Sequence, residues 1–279
     1  MTAFFEQSRK PDRSAGVSFP AVRAIGLERD GDEILSALRD LLPEAQTFAR
    51  TPVSHFPVGA AALGESGRVW LGANMEFPGL PLNFTVHAEQ AALINARQNG
   101  ETRILCLAVS AAPCGYCRQF LLELGTPLPV LIGSRLTPLE ELLPEAFRLE
   151  KEAQGGLLGK QDLSSLRPCG DRLADLACAA ALKSYSPYTR SPSGAALRCA
   201  SGRVFCGSLA ESSAYNPTLT PLQTALIIRS LAGAHEDPIA EAVLAESSSA
   251  AVSQAPAFEM MIKKLAPQAA FRVIEQEGL

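Results

Sequence analysis

One histidine, one glutamate and two cysteines stand at spacings that could form a metal centre in this chain of 279 residues. His87 precedes Glu89 by two positions, and Cys114 and Cys117 follow later as a C-x-x-C pair. One imidazole and two thiolates can hold Zn²⁺ and leave its fourth position open to water. The sequence therefore predicts His87, Cys114 and Cys117 as metal ligands. It predicts Glu89 as the carboxylate that moves protons at the open position.

The histidine is predicted to lie where a helix begins. The alanine-rich stretch 86–97 is typical of a helix, which places His87 and Glu89 in its first turn. The apolar run 104–110 predicts a buried strand that leads to the cysteine pair. We therefore expect the metal centre to lie between a helix N-terminus and the end of a strand.

The cysteine pair is predicted to begin a second helix. Pro113 suits the first position of a helix, which then continues through residues 117–124. Cys114 and Cys117 are three residues apart and therefore share one helix face. The positive ends of both helices would then face the metal and favour the thiolate form of the cysteines.

Three other interpretations of these residues stay open at the level of sequence. A C-x-x-C pair can form a redox site in a reducing compartment. A structural zinc site needs four protein ligands, for which His55 or Cys106 is available, although neither has ligand spacing. His87 could also be an ordinary packed histidine. The combination of an upstream H-x-E with the C-x-x-C pair favours a catalytic zinc site over all three.

Composition and charge limit the partners. Hydrophobic residues make up 47% of the chain and charged residues 19%, which suits a globular protein with a sizeable core. The net charge is −4, and no long basic run is present to neutralise the phosphates of a nucleic acid polymer. No stretch of 18 apolar residues predicts a membrane span. These features favour a small neutral substrate and predict neither nucleic acid nor membrane as a partner.

Cysteine usage indicates the compartment. The chain has seven cysteines, and the five outside the C-x-x-C pair stand mostly among apolar neighbours, as small buried hydrophobes do. These five are Cys106, Cys169, Cys178, Cys199 and Cys206. A disulfide framework is therefore not expected, and residues 1–13 lack the apolar core of a secretory signal. We predict a cytoplasmic protein.

The chain repeats itself once at an offset of 135 residues. The matches pair Pro52 with Pro187, Pro57 with Pro192, residues 59–61 with 194–196, 66–69 with 201–204, Gly72 with Gly207, and Glu76 with Glu211. Each copy begins with a helical pattern, at 32–50 or 171–184. Each continues with a strand, at 58–63 or 194–199, and with a second strand after a turn. The shared order of elements supports a duplicated domain.

The second copy lacks the metal chemistry. With a two-residue deletion, Thr220 falls opposite His87 and Leu222 opposite Glu89, and no C-x-x-C follows residue 240. We therefore expect one Zn²⁺ per chain. The predicted organisation is an N-terminal arm at 1–30, a catalytic domain at 31–150, a linker at 151–168 and a degenerate, zinc-free domain at 169–279.

These motifs resemble those of cytidine deaminases, and in particular the long, homodimeric type in which a degenerate copy follows a catalytic half. The stretches that support the resemblance are 54–56, 72–77, 87–90, 113–120, 215–219 and 221–223. The resemblance covers most of the chain from about residue 43 onwards. It implies an α/β fold, namely a duplicated three-layer α-β-α sandwich with helices around a mixed sheet in each half.

The resemblance also implies roles for substrate-binding residues. Phe56 would pack on the pyrimidine ring, and Asn74 and Glu76 would hold the ribose hydroxyls. Glu211 repeats Glu76 in the degenerate copy, which leaves a structural role for Glu76 open.

Two further positions complete the implied substrate site. Ala88 would lie against the nucleoside. Phe147 would place an aromatic ring in the site of a partner subunit, which implies a homodimer whose active sites are completed across the interface.

The resemblance implies zinc-dependent hydrolytic deamination of cytidine and 2′-deoxycytidine to uridine and 2′-deoxyuridine, with release of ammonia, as in pyrimidine salvage. An activated water would attack C4 of the base, and Glu89 would move protons to N3 and to the leaving ammonia. Two alternatives stay open: a deaminase of another free base or nucleoside analogue, and a catalytically inactive zinc-binding regulator on the same scaffold. Retention of Glu89 argues against the regulator, because a structural zinc site needs no carboxylate that is not a ligand.

Overall fold

The computed structural model describes residues 17–18, 31–149, 156–159, 170–277 and 279. We call residues 31–149 the first half and residues 170–277 the second half. Most of the predicted N-terminal arm and linker lies outside the described residues. The strands and helices up to residue 149 are β1 (Val17–Ser18), α1 (Gly31–Asp40), α2 (Leu42–Gln46), β2 (Gly59–Gly64), β3 (Arg68–Ala73), α3 (Ala88–Gln98), β4 (Ile104–Val109), α4 (Gly115–Leu121), β5 (Pro129–Ile132), β6 (Arg135–Pro138) and α5 (Leu139–Leu142). Those after residue 169 are α6 (Arg172–Leu182), β7 (Ser193–Cys199), β8 (Val204–Ser208), α7 (Pro221–Leu231), β9 (Ile239–Ser247), α8 (Ala255–Leu265) and β10 (Ala270–Gln276).

A mixed sheet forms the centre of the first half. Its strand order is β1-β3-β2-β4-β5-β6, with β4 and β5 parallel and the other neighbouring pairs antiparallel. Successive residues of β2 point to opposite faces, so Ala61 and Leu63 meet α1 and α2 while Ala60 and Ala62 meet α3 and α4. The first half is therefore a three-layer α-β-α sandwich.

The second half has the same plan with fewer strands. Its sheet has the order β10-β9-β7-β8, and β9 and β10 are parallel. Ala196 and Val243 pack with α6 on one face, while Ala195 and Leu244 belong to the core shared with α7 on the other. The prediction of a duplicated α-β-α sandwich with mixed sheets is confirmed.

The two halves share one hydrophobic core across α3 and α7. The described part of the predicted linker contributes to it, because Leu157 is fully buried there. Arg97 at the end of α3 donates from Nε to the Leu157 carbonyl over 2.7 Å. The linker is therefore packed at this point and does not simply cross the surface.

Backbone pairing reproduces the predicted repeat. Met75 pairs with Val86 in the first half, and Ala210 pairs with Leu219 in the second. The offset of 135 residues at the first partner has become 133 at the second, as the predicted two-residue deletion requires. The sequence alignment of the two copies therefore holds in three dimensions.

Two predictions need correction. The helix predicted over 32–50 is divided into α1 and α2, because Pro43 at the start of α2 lacks an N–H and interrupts the preceding turn. Cys178 is disulfide-bonded, so the prediction that it is an ordinary buried thiol is wrong. Cys106 and Cys199 are free and buried, as predicted, and Cys206 is free and half-buried. Within the described residues, no helix has the length and apolarity needed to cross a membrane.

Candidate active site

His87 is the N-cap of α3, directly after the residue that pairs with the edge of the first sheet. Its backbone is extended, with φ −94° and ψ 153°. The His87 N–H donates to Gln90 Oε1 over 3.1 Å, which completes a capping box. Glu89 follows in the first helical turn, as predicted.

Cys114 and Cys117 lie where β4 ends and α4 begins. Cys114 is the N-cap of α4, and Cys117 lies in its first turn. The helix starts at Gly115, so the prediction that Pro113 is its first residue is wrong. The first turn closes through the Arg118 N–H and the Cys114 carbonyl, at 3.0 Å, and Pro113 therefore stays outside the helix.

The three predicted ligand atoms converge. The His87 Nδ1 lies 3.6 Å from the Cys114 Sγ and 3.2 Å from the Cys117 Sγ, and the two sulfurs are 3.7 Å apart. Tetrahedral Zn²⁺ with ordinary bond lengths separates such ligand atoms by about 3.5–3.8 Å. The geometry therefore fits zinc. Within the described ranges, neither His55 nor Cys106 joins this group, so the four-ligand alternative finds no support.

The electrostatics of the site favour a thiolate. The neighbouring Cys117 thiol and the His87 imidazole lower the pKa of Cys114 to about 3. The pKa of Cys117 is raised, first by its hydrogen bond with Cys114 and then by burial. Glu89 is only 4% exposed, and this burial raises its pKa. A carboxyl group with a raised pKa can both accept and return a proton near neutral pH.

A cavity of about 240 Å³ opens beside the ligands. Its lining includes all the predicted site residues except Cys117 and Phe147, namely Phe56, Asn74, Glu76, His87, Ala88, Glu89 and Cys114. Four lining residues were not predicted: Val58, Thr85, Ala111 and Ala112. Ala111 and Ala112 follow the end of β4 directly, a position at which sequence reasoning could have placed them in the site.

Asn74 and Glu76 already hold the loop that leads to Phe56. Asn74 Oδ1 accepts from the Val58 N–H over 2.9 Å, and its Nδ2 donates to the Phe56 carbonyl over 3.0 Å. Glu76 Oε2 accepts from the backbone N–H groups of Val53 and Ser54, at 2.8 and 3.0 Å. Both side chains therefore fix the rim of the cavity while facing into it.

Two aromatic rings differ in their relation to the site. Phe147 does not line the cavity of its own chain, and its residue is 55% exposed. Its carbonyl accepts from Gln119 Nε2 over 2.7 Å. The ring of Tyr116 stacks on His87 with 5.9 Å between centroids, and its hydroxyl donates to the Asn216 carbonyl of the second half. Tyr116 therefore connects the second half to a predicted metal ligand.

Comparisons with known proteins agree with this site. Models of the "Cytidine and deoxycytidylate deaminase zinc-binding region" match residues 33–132 and, separately, residues 135–259. A crystal structure of cytidine deaminase from Mycobacterium tuberculosis is 39% identical over 41% of this chain and 97% of its own, with a TM-score of 0.38. One from Burkholderia pseudomallei is 32% identical over 40% of this chain and 98% of its own, with a TM-score of 0.36.

The two family matches together span most of the chain. It therefore belongs to the cytidine and deoxycytidylate deaminase family, as a zinc-dependent hydrolytic deaminase. Its two tandem domains are the arrangement of the long type, and Zn²⁺ is its cofactor.

Proposed function

We propose that this protein deaminates free cytidine and 2′-deoxycytidine to uridine and 2′-deoxyuridine. One observation supports this above all: buried Glu89 and the ligand cluster open into the same 240 Å³ cavity as Phe56, Asn74 and Glu76. An aromatic ring and paired polar groups are the features that a nucleoside needs. The net charge of −4 favours the uncharged nucleoside over a polynucleotide.

Each site residue has a proposed task. His87, Cys114 and Cys117 hold Zn²⁺, which when bound makes a water molecule acidic enough to act as a nucleophile near neutral pH. Glu89 accepts the proton of the attacking water, delivers it to N3 of the base and later protonates the leaving ammonia. Phe56 packs on the base, and Asn74 and Glu76 face the sugar. Ala88 gives the base room at the start of α3.

We also propose a homodimer in which Phe147 enters the partner's site. Phe56 is 60% exposed, so the cavity of one chain leaves its aromatic wall open to solvent. A second ring across an interface would exclude water from the bound pyrimidine. The cytoplasmic location and the role in pyrimidine salvage stay predictions from the sequence.

The proposed activity is tested with purified, zinc-loaded full-length protein. Cytidine and 2′-deoxycytidine are expected to lose their absorbance as uridine products form, with release of one equivalent of ammonia. Cytosine, adenosine and a cytidine-containing single-stranded oligonucleotide serve as comparison substrates and are expected to react far more slowly. Preferred turnover of cytosine or adenosine would establish another deaminase. No turnover of any substrate by zinc-loaded protein would favour the inactive regulator.

A further inference from the structure

A second and larger cavity lies between the two halves. Its volume is about 740 Å³, compared with 240 Å³ for the candidate active site. We call it the interface cavity. Most of its lining is apolar and includes Met75, Phe77, Leu226, Ile239 and Leu265. Such a volume accommodates a small organic molecule.

Two guanidinium groups line the interface cavity, Arg50 from the first half and Arg229 from the second. The Nε atoms of both are buried and have no hydrogen-bond partner. Buried polar groups of this kind are usually paired, so these two N–H groups call for an acceptor. Arg229 also donates from Nη2 to the carbonyls of His235 and Asp237, which fixes its side chain at the wall.

The carboxylates of the interface cavity leave this demand unmet. Glu76 accepts two backbone N–H groups of the loop at Val53 and Ser54. Glu236 is exposed to solvent, and its attraction raises the pKa of Arg50 less than burial lowers it. Between described residues, no ion pair within 4.0 Å includes Arg50 or Arg229.

The internal repeat shows how an equivalent location is satisfied. Arg50 bridges to Met75 in the first half as Tyr185 bridges to Ala210 in the second. The Tyr185 hydroxyl donates to Glu123 Oε2 over 2.9 Å. The same buried carboxylate also accepts from the Tyr188 hydroxyl at 2.6 Å and from the Ser213 N–H at 2.7 Å. A carboxylate therefore collects every donor on that side of the interface.

On the side of the interface cavity, a lysine replaces that carboxylate. The strand pairings Leu107 with Val130 and Ala242 with Phe271 align β5 with β10. Glu123 stands seven residues before Val130, and Lys264 stands seven residues before Phe271, so the two correspond. Lys264 lies against Gly79, where an added Cβ would be 2.6 Å from its Nζ. The repeat thus places cations where its other copy has an anion among donors.

We propose that the interface cavity binds a small organic anion, in which a phosphate or carboxylate group is attached to an apolar body. The anionic group would accept from Arg50 and Arg229 and take the place that Glu123 fills in the other copy. The apolar body would cover the walls contributed by both halves. Binding would therefore hold the halves together at a place distinct from the metal cluster.

Phenyl phosphate is the probe, titrated by calorimetry into zinc-loaded full-length protein. We expect one molecule bound per chain. Arg50→Gln should weaken binding about tenfold or more, because it removes charge-assisted hydrogen bonds. Arg103→Gln removes an exposed charge outside the cavity and should leave the dissociation constant unchanged. Ala266→Phe, which fills the interface cavity while keeping both arginines, should abolish binding.

Three companion titrations define the ligand. Benzoate tests the carboxylate form of the same chemistry, and binding of either probe with loss in Arg50→Gln supports the site. Inorganic phosphate should bind more weakly than phenyl phosphate, and equal binding would overturn the organic character of the ligand. Saturating uridine should leave phenyl phosphate bound, whereas displacement would place the probe in the active-site cavity. Absence of binding by both aromatic anions, or equal binding to Ala266→Phe, would overturn the proposal without bearing on deaminase activity.

Discussion

Gln90 and Gln223 make the same hydrogen bond in opposite directions across the interface between the halves. Gln90 Nε2 donates to the Pro217 carbonyl over 2.9 Å, and Gln223 Nε2 donates to the Phe84 carbonyl over 2.8 Å. Each glutamine is also the third residue of a capping box, at the start of α3 or α7. The degenerate half has therefore lost the metal chemistry and kept the contacts that hold the active half.

Gln223→Ala is expected to destabilise the protein by about 2 kcal/mol, because it leaves the buried Phe84 carbonyl without its donor. Urea denaturation followed by fluorescence measures the change. Gln98→Ala, near the end of α3, removes a partly exposed amide and is the matched control. If both variants had the same small effect, the exchanged hydrogen bonds would contribute nothing to the association of the halves.

Glu76 and Glu211 separate structure from substrate binding. Glu211 Oε2 accepts from the Tyr188 and Thr189 N–H groups at 2.9 and 3.2 Å, as Glu76 does from the matching loop. We expect Glu211→Ala and Glu76→Ala to lower stability similarly, by about 1–3 kcal/mol. Glu76→Ala should in addition raise KM for cytidine about tenfold or more, while Glu211→Ala leaves KM unchanged. Equal KM values for the two variants would limit Glu76 to a structural role.

Metal analysis tests the ligand assignment. Mass spectrometry of purified protein is expected to find one zinc per chain, because Thr220 and Leu222 replace His87 and Glu89 in the second half. Cys117→Ser should lose most of the zinc. Cys206→Ser, at a free cysteine of the second half, should retain it. A content of two zinc ions per chain would require a second ligand set.

Phe147→Ala is expected to raise KM for cytidine much more than it lowers stability, since its residue is 55% exposed in its own chain. Steady-state kinetics and thermal denaturation measure the two effects. A core phenylalanine would behave oppositely, with a stability loss of about 3–5 kcal/mol.

Mixed dimers test whether Phe147 acts in the partner's site. Glu89→Gln and Phe147→Ala chains, each impaired alone, are mixed under conditions of subunit exchange. One site in each mixed dimer then has both Glu89 and the partner chain's phenylalanine, so part of the activity should return. No recovery despite demonstrated exchange would assign Phe147 to its own chain.

The metal cluster could be predicted because its geometry is local. Helix capping fixes His87, and a single turn relates Cys114 to Cys117, so sequence spacing determines both. The repeat was also readable, because glycines mark places where a helix crosses a strand. A Cβ at Gly72 would lie 2.2 Å from the Ala92 nitrogen, and one at Gly207 equally close to the Ala225 nitrogen.

The remaining features depend on contacts between distant segments. The burial of Leu157 in a predicted linker follows from its packing between the halves. The hydrogen bonds of Asn74 to the loop at Phe56 follow from the fold of a strand edge. The interface cavity exists only where both halves meet, so spacing along the chain does not indicate it.

Turnover of cytidine by the Glu89→Gln variant, compared with wild type at equal zinc content, tests the proposed mechanism most directly. The substitution keeps the size of a buried side chain and removes a proton carrier that acts in more than one step. The variant should keep its zinc and its denaturation midpoint and lose turnover by about three orders of magnitude or more. Near-normal turnover by zinc-loaded Glu89→Gln would contradict the assignment of proton transfer to Glu89.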